Sequence, residues 1–421
     1  MKRVSKKGQR INRLMEVQEL TGEQQRFEER MAIIQTLIPL GIAAVSEEMR
    51  REAEGLIGEL YARGKKRGPW GSNRGSVCLG DQKVTVHVPR VRDRRTNMEV
   101  PLRSYQRLQQ PGVLEELALR RVINGISMRK YEEAAVSVPE TLGISRDSVS
   151  RRWIRASAKK LATLNERNLG TYDIVAIFLD GKHFSTDHEI VVALGVTITG
   201  EKVTLGIVET STENYVVCRD FVRSLLERGL CVDHPILCII DGGKGIHKGL
   251  KEVLGDQALI QRCQWHKREN VLQYLPKNRQ NEFRRKLQGA YEQPTYEAAK
   301  KGLDAIRREL RGINLSAVNS LEEGFGETLT LHRLGLFEKL GRSFKTTNAL
   351  ENVNSLLGIY TDRVDYWKTS EQRQRWVATA LLEVEPRLRK VAGHQHLKQL
   401  RSAMAQLVGK RKTAVELKSA A

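Results

Sequence analysis

Residues 11 to 62 carry apolar positions at helical spacing, with Met31, Ile34, Leu37, Ile38 and Ile42 on one side and charges on the other. This predicts helices packed on each other or on a second subunit. The stretch RGKKRGPWGSNRG at 63 to 75 breaks that period and reads as a linker or a DNA-tracking loop. From Lys83 to Arg103 the period becomes two. Val84, Val86 and Val88 share a face, RDRRTN turns the chain and MEVPL follows, which is the pattern of a β-hairpin. Residues 113 to 161 return to helical spacing. Within them, a helix over Tyr131 to Val136, a turn ending at Gly143 and a helix capped by Ser145 and running to about Lys160 have the outline of a helix-turn-helix.

Beyond Gly170 the pattern changes again. IVAIFLD at 174 to 180, EIVVALGVTI at 189 to 198 and KVTLGIVE at 202 to 209 are strand-like runs. A helical segment from Asn214 to Arg228 then precedes a fourth run, ILCIID at 236 to 241. Three consecutive strands, a helix and a fourth strand out of hairpin reach predict a mixed sheet flanked by helices. From about Gly242 onward helical spacing prevails, broken at Pro276 and Pro294.

Charge turns this outline toward a polyanion. The 421 residues carry a net charge of +21, and 40% hydrophobic composition suffices for a core. Residues 1 to 170 hold 33 Lys plus Arg against 20 Asp plus Glu, a balance of +13; the other 251 residues hold 38 against 30, or +8. Nucleic acid is the leading partner and the front of the chain its main grip, with an anionic membrane surface second. In the helix-turn-helix, Arg146, Ser148, Ser150 and Arg151 face the bases. Arg90, Arg92, Arg94 and Arg95, among five arginines between Arg90 and Arg103, face phosphates.

No apolar run approaches the roughly 20 residues that span a bilayer, and the basic start MKRVSKKGQR lacks the features of a secretory signal. No membrane partner is expected. Five scattered cysteines, Cys78, Cys218, Cys231, Cys238 and Cys263, argue against a disulfide framework and for a reducing cytoplasm.

The chemistry-bearing residues are acids. Asp180 closes the first strand-like run and Asp241 the fourth, each followed by Gly. One such Asp is commonly a turn residue, but two strands delivering Asp at the same end form a candidate site. Two-metal phosphoryl transfer sets hard cations about 3.5–4 Å apart between oxygen ligands and needs a third acid. The best candidate is Glu351 in FKTTNALENVNSLLGIY, where Thr346 or Thr347 can cap a helix and put Glu351 about one turn in, beside Asn348 and Ser355, the alternative being an ordinary exposed helical Glu. The metal expected is Mg2+, with Mn2+ substituting, at two ions per site. Cys263 and His266 form a Cys-x-x-His pair without a second pair for zinc. DGGKGIHKG lacks the order of a phosphate loop, so no nucleotide cofactor is expected, and Lys244, His247 and Lys248 suit a DNA backbone. Tyr366, Trp367, Arg373, Arg375 and Trp376 interleave rings and cations, a pattern for stacking on unpaired bases, with core packing the alternative for Trp376.

Asp180-Gly181, Asp241-Gly242 some 61 residues on, RCQWHKREN, TTNALEN 110 residues beyond Asp241 and YWKTSEQRQRW together resemble the Mutator-type family of bacterial insertion-sequence transposases. The likeness runs from about residue 80 to 400. It implies that Asp180, Asp241 and Glu351 are the acidic triad of a ribonuclease-H-like α/β core with an all-α insertion and a mostly helical DNA-binding N-terminal region. It also implies an auxiliary position near that site for Cys263 and His266, terminal inverted repeats and target DNA as double-stranded partners, circular excised intermediates in some members, and a nucleoid-associated bacterial setting. KHFSTDHE departs from the family in lacking an Arg downstream of Asp180, so no role carries over to Lys182 and His183.

The resulting domain plan is a helical region and basic linker at 1–75, a DNA-binding region at 76–165, a catalytic core from 170–265 and 340–400, a helical insertion at 266–339 and a basic tail at 401–421. Processing two ends in step calls for a homodimer or larger, through the Met31, Ile34, Ile38 and Ile42 stripe or with that stripe packed internally. Two rivals remain: a metal-independent transcriptional regulator, and a plain metal-dependent nuclease of the same fold.

Overall fold

The computed structural model describes residues 41–58, 66–79, 82–109, 119–120, 122–123, 141–142, 146–185, 188–210, 214–364 and 366–419, with side chains left aside at a few of these. The chain divides into two units, Met1–Ala156 and Ser157–Ala421.

In the first unit, residues 41–57 are helical (α1). They are followed by β1 (Arg67–Leu79), β2 (Gln82–Asp93), β3 (Glu99–Val100), α2 (Arg103–Leu108) and β4 (Thr141–Leu142). The long antiparallel pair is β1 with β2, while β3 and β4 add only short pairings to β2. Residues 67 to 75 are therefore strand, not linker. Their glycines are accommodated by a register shift between Pro69 and Ser72, where Gly71 takes φ 79°, a value that disfavours other residues. The period-two valines do what their spacing dictates: Val86, Val88 and Val91 bury against Val77, Met49, Ala53 and Leu102. RDRRTN is a tight turn, with Asp93 Oδ1 accepting from the Arg95 and Thr96 amides and Asn97 at φ 59°. Glu52 of α1 takes the amides of Arg103 and Ser104 at 2.8 Å each, capping α2 from a distance. Ile42 packs on this same core; Met31, Ile34 and Ile38 lie outside the described residues, as do Tyr131 to Val136, Gly143 and Ser145 of the expected helix-turn-helix. A helix, α3 (Arg146–Asn165), covers the span expected for its second helix.

The second unit holds a five-stranded mixed sheet in the order β7-β6-β5-β8-β9. Its strands are β5 (Ile174–Ser185), β6 (His188–Thr197), β7 (Lys202–Thr210), β8 (Ile236–Ile240) and β9 (Ala258–Arg262). The first three are antiparallel; β8 pairs parallel with both β5 and β9. Two helices between strands, α4 (Tyr215–Glu227) and α5 (Lys244–Leu254), close one face. There Phe221, Val222, Leu225, Ile246 and Leu250 meet Ile177, Leu179, Val191, Cys238 and Ile240 in one core. The alternate residues of β5 face the other way, where Phe178 stacks on Phe344 at 5.7 Å.

After β9 the chain is helical: α6 (Gln264–Gln273), α7 (Lys277–Tyr291), α8 (Tyr296–Arg311), α9 (Leu315–Glu322), α10 (Thr330–Arg333), α11 (Phe337–Phe344), α12 (Asn348–Thr361), α13 (Ser370–Val384) and α14 (Leu397–Ser419). Helices α6 to α9 own a second core built on Val271, Leu272, Phe283, Leu287, Leu303, Leu310 and Leu321. Thr295 and Asn314 cap α8 and α9. No helix among the described residues is long and apolar enough to cross a membrane.

Candidate active site

Parallel pairing between β5 and β8 stops at Leu179 and Ile240. The next residue after each is an acid, so Asp180 and Asp241 follow directly where this parallel pairing ends, at one end of the β5–β8 pair. Asp180 does not terminate its strand, as its sequence context suggested: β5 runs on to Ser185, paired with β6 alone. Gly181 is consequently not a turn glycine. A Cβ built there would lie 1.6 Å from Glu189 Oε1, so the bare backbone leaves room for a neighbouring carboxylate. Asp241 does begin a turn, its Oδ1 accepting from the Gly243 amide at 3.0 Å ahead of α5.

The third acid arrives on α12. The Cys263 amide donates to Ile240 O at 2.7 Å and the Gln264 amide to Lys345 O at 2.9 Å, tying the start of α6 to the end of β8 and to the segment before α12. Lys182, on the same side of β5 as Asp180, reaches Asn354 O at 2.9 Å and binds α12 to the sheet. Glu351 stands in the first turn of α12, as its spacing from Thr347 predicts. Thr347 occupies the cap position but makes no side-chain cap bond. Its hydroxyl donates instead to Glu351 Oε1 at 2.8 Å, with His266 Nδ1 at 3.3 Å and Cys263 Sγ at 3.6 Å.

The electrostatics join these groups into one site. Asp180 is pushed up to about 7 by burial and by the negative charge of Asp241, with a smaller contribution from Glu351 and opposition from His266. His266 is raised to about 9, chiefly by its hydrogen bond with Cys263 and helped by Asp241 and Asp180. Burial pushes the Cys263 thiol up, but the bonds with His266 outweigh it and leave the group below its ordinary value. Among the described residues no three such side chains already stand close enough to enclose a metal ion. The donor set nevertheless suits a hard divalent cation: three carboxylates, one of them raised to about 7 by burial and by the negative charge of Asp241.

Two residues here escaped the sequence reading. Glu189 sits over Gly181 with its side chain 8% exposed, raised by burial and by Asp241, with His183 Nε2 3.8 Å away. Trp265 is exposed, its ring nearly perpendicular to that of His266 with the ring centres 4.8 Å apart. Neither carries a spacing signal: Glu189 is set by its place across from Gly181 on the neighbouring strand, and Trp265 by its neighbour His266.

The remaining candidates are scattered. Arg94 and Arg95 are exposed at the β2 turn and Arg92 is half-buried. Arg90 is engaged, bonding Glu99 Oε2 at 2.8 and 3.0 Å and stacking 4.1 Å above Trp70. On α3, Arg151 is exposed and Ser150 half-buried; the side chains of Arg146 and Ser148 lie outside the described ones. Lys244 and Lys248 are exposed on α5, the latter 4.0 Å over Tyr215, but His247 is paired with Glu327 at 2.7 Å. The stacking reading of the C-terminal cations does not hold. Arg373 is buried against Glu209 at 2.5 Å and Arg375 against Glu371 at 2.5 Å, because buried guanidinium groups need carboxylate partners. Trp376 is core, and Trp367 packs between it and Phe184.

The chain is similar to known transposases. The chain is 31% identical over 163 residues to the transposase for insertion sequence element IST2 of Acidithiobacillus ferrooxidans, covering 39% of this chain and 54% of that one. A second relative, from insertion sequence IS6120 of Mycolicibacterium smegmatis, is 32% identical over 141 residues, 32% of this chain and 42% of its own. The matches thus span about half the length of these two relatives. The transposase of ISRM5 from Rhizobium meliloti is matched at 24% over 309 residues, 72% of this chain and 75% of that one. The family described as "Transposase, Mutator family" matches residues 15–386. With that match spanning most of its length, the chain belongs to the Mutator family of transposases.

Proposed function

We propose that this chain is the transposase of an insertion sequence, binding terminal inverted repeats and cutting and joining DNA through Asp180, Asp241 and Glu351. The observation that carries it is that Asp180, on β5, lies close enough to Asp241 after β8 and to Glu351 on α12 to be raised by both, although the three are far apart in sequence. Three antiparallel strands followed by two parallel ones, with the third acid on a later helix, support a ribonuclease-H-like core. Helices α6 to α9 with their own core support an insertion between its parts.

Asp180, Asp241 and Glu351 would hold two Mg2+ ions, or Mn2+ in their place. Bound there, the ions supply charge stabilisation for the attacking and leaving oxygens of an in-line phosphoryl transfer. The chain's own groups divide the rest of the work. The carboxylates set the reaction's position, and the cationic His266 faces the acids from α6, where a scissile phosphate oxygen needs a positive neighbour. Water is the first nucleophile and frees a 3′ hydroxyl; that hydroxyl then attacks target DNA, with no covalent intermediate and no nucleotide cofactor.

The test is a labelled inverted-repeat duplex incubated with plasmid, Mg2+ and the purified chain. Labelled end joined to plasmid is the expected product, and light scattering on paired ends should report a dimer or larger. Cleavage without joining would indicate a nuclease, and metal-independent binding without chemistry a regulator.

DNA grip is assigned to the basic first unit, with the exposed Arg94 and Arg95 on phosphates. Replacing both with Ala should reduce the slope of log affinity against log salt by about 2, since each phosphate contact contributes roughly 0.9. Binding to inverted-repeat and unrelated duplexes should weaken equally. An unchanged slope in fluorescence anisotropy would remove these two from the interface.

A further inference from the structure

We propose that Thr347 is a positioning residue for Glu351, its hydroxyl linking the Cys263–His266 pair to the catalytic carboxylate. The inference rests on the acidic-triad reading and adds to it a residue outside the triad.

Thr347 begins α12 in the position where a Thr hydroxyl ordinarily accepts a backbone N–H of the first turn. Here the side chain makes no cap bond, while its backbone carbonyl accepts from Leu350 at 2.8 Å and Glu351 at 3.0 Å. The residue is fully buried, so water cannot replace the hydroxyl's partners. A hydroxyl has one proton to give, and the shortest acceptor is the carboxylate Oε1 of Glu351 at 2.8 Å. That leaves its lone pairs for the imidazole Nδ1 of His266 at 3.3 Å, while Cys263 Sγ at 3.6 Å is only a longer, weaker alternative acceptor for the hydroxyl. The result is a directional chain in which His266 donates to Thr347 and Thr347 donates to Glu351.

Its elements are fixed independently. Lys345 O holds the Gln264 amide and Ile240 O holds the Cys263 amide, so Thr347, Cys263 and the end of β8 are joined through backbone rather than through long side chains. A Glu on the first turn of a helix has several rotamers open to it. The hydroxyl selects one, in which one carboxylate oxygen is occupied and the other is left for a ligand. Outer partners of this kind typically contribute 10- to 100-fold to the affinity or activity of the groups they orient. TTNALEN is thus more than a capped helix start. Its second Thr has exchanged capping for orientation.

Thr347→Val keeps the shape and removes the donor. In the full chain acting on inverted-repeat duplex, kcat should fall roughly 10- to 100-fold with KM for DNA unchanged. Binding of Mn2+ to the DNA-free protein, followed by calorimetry, should weaken in the same variant. Thr347→Ser, which restores the hydroxyl, should recover most of both, whereas a packing role would be served better by Val than by Ser. Wild-type kcat and Mn2+ affinity in Thr347→Val would overturn the proposal, as would a loss that Ser does not repair. Glu351→Ala in parallel separates the two levels: if it keeps full activity the triad itself is wrong, and if it is inactive while Thr347→Val is normal only the positioning role is wrong.

Discussion

Replacing Asp180, Asp241 or Glu351 singly with Ala is expected to lower DNA cleavage and joining by roughly a thousandfold or more, with affinity for transposon-end DNA held within about threefold of wild type. The size follows from what each carboxylate does. A divalent cation contributes several kcal/mol of transition-state stabilisation, and each 1.36 kcal/mol is a factor of ten in rate. Affinity survives because the basic grip is built elsewhere, on a front segment with a charge balance of +13. Cleavage and strand transfer measured on labelled ends, beside anisotropy on the same duplex, would decide it. A variant that keeps near-normal strand transfer would exclude its residue from the triad, and a matching loss of binding would mean that the substitution had damaged the fold.

The acids were legible because they sit where periodic patterns end. IVAIFLD and ILCIID are apolar runs ending in a carboxylate, and buried parallel strands leave few other places for a charge. The mixed sheet and the helical second half were legible for the same reason. Glu351 was reachable through the two threonines before it, although the hydroxyl meant to cap α12 serves the carboxylate instead. What failed depended on contacts remote in sequence. Gly71 and its neighbours signalled a break, yet β2 offers the backbone bonds that make a bulged strand of them. Gly181 resembled a turn until Glu189 was found occupying its missing Cβ. Arg373 resembled a ligand for DNA, but Glu209 lies 164 residues before it and no local pattern announces it.

Asp180→Asn should make the metal-free protein more stable at pH 8 while eliminating its chemistry. In the folded chain the Asp180 carboxyl is raised from its ordinary 3.8 to about 7, first by burial and then by Asp241. Below about 4 the group is protonated in folded and unfolded chains alike and has no influence on their balance. Between about 4 and 7 the folded chain holds a proton that the unfolded chain has released, so stability falls as pH rises through this window. Above about 7 the penalty is complete, on the order of 4 kcal/mol for a shift of about three units at 1.36 kcal/mol each. Asn has nearly the same shape and no charge to bury, so the variant escapes the penalty at pH 8 and gains nothing at pH 4. Thermal melts in chelator should show Asp180→Asn exceeding wild type by at least about 5 °C at pH 8, since 1 kcal/mol moves the midpoint of a 150–250-residue domain by about 2–4 °C. The gap should close on acidification. Mg2+ should narrow it at pH 8 by favouring the ionised carboxylate of the wild type. A variant no more stable than wild type at pH 8, or a difference independent of pH, would mean that Asp180 bears no unmet charge and that the acids are not waiting for a cation.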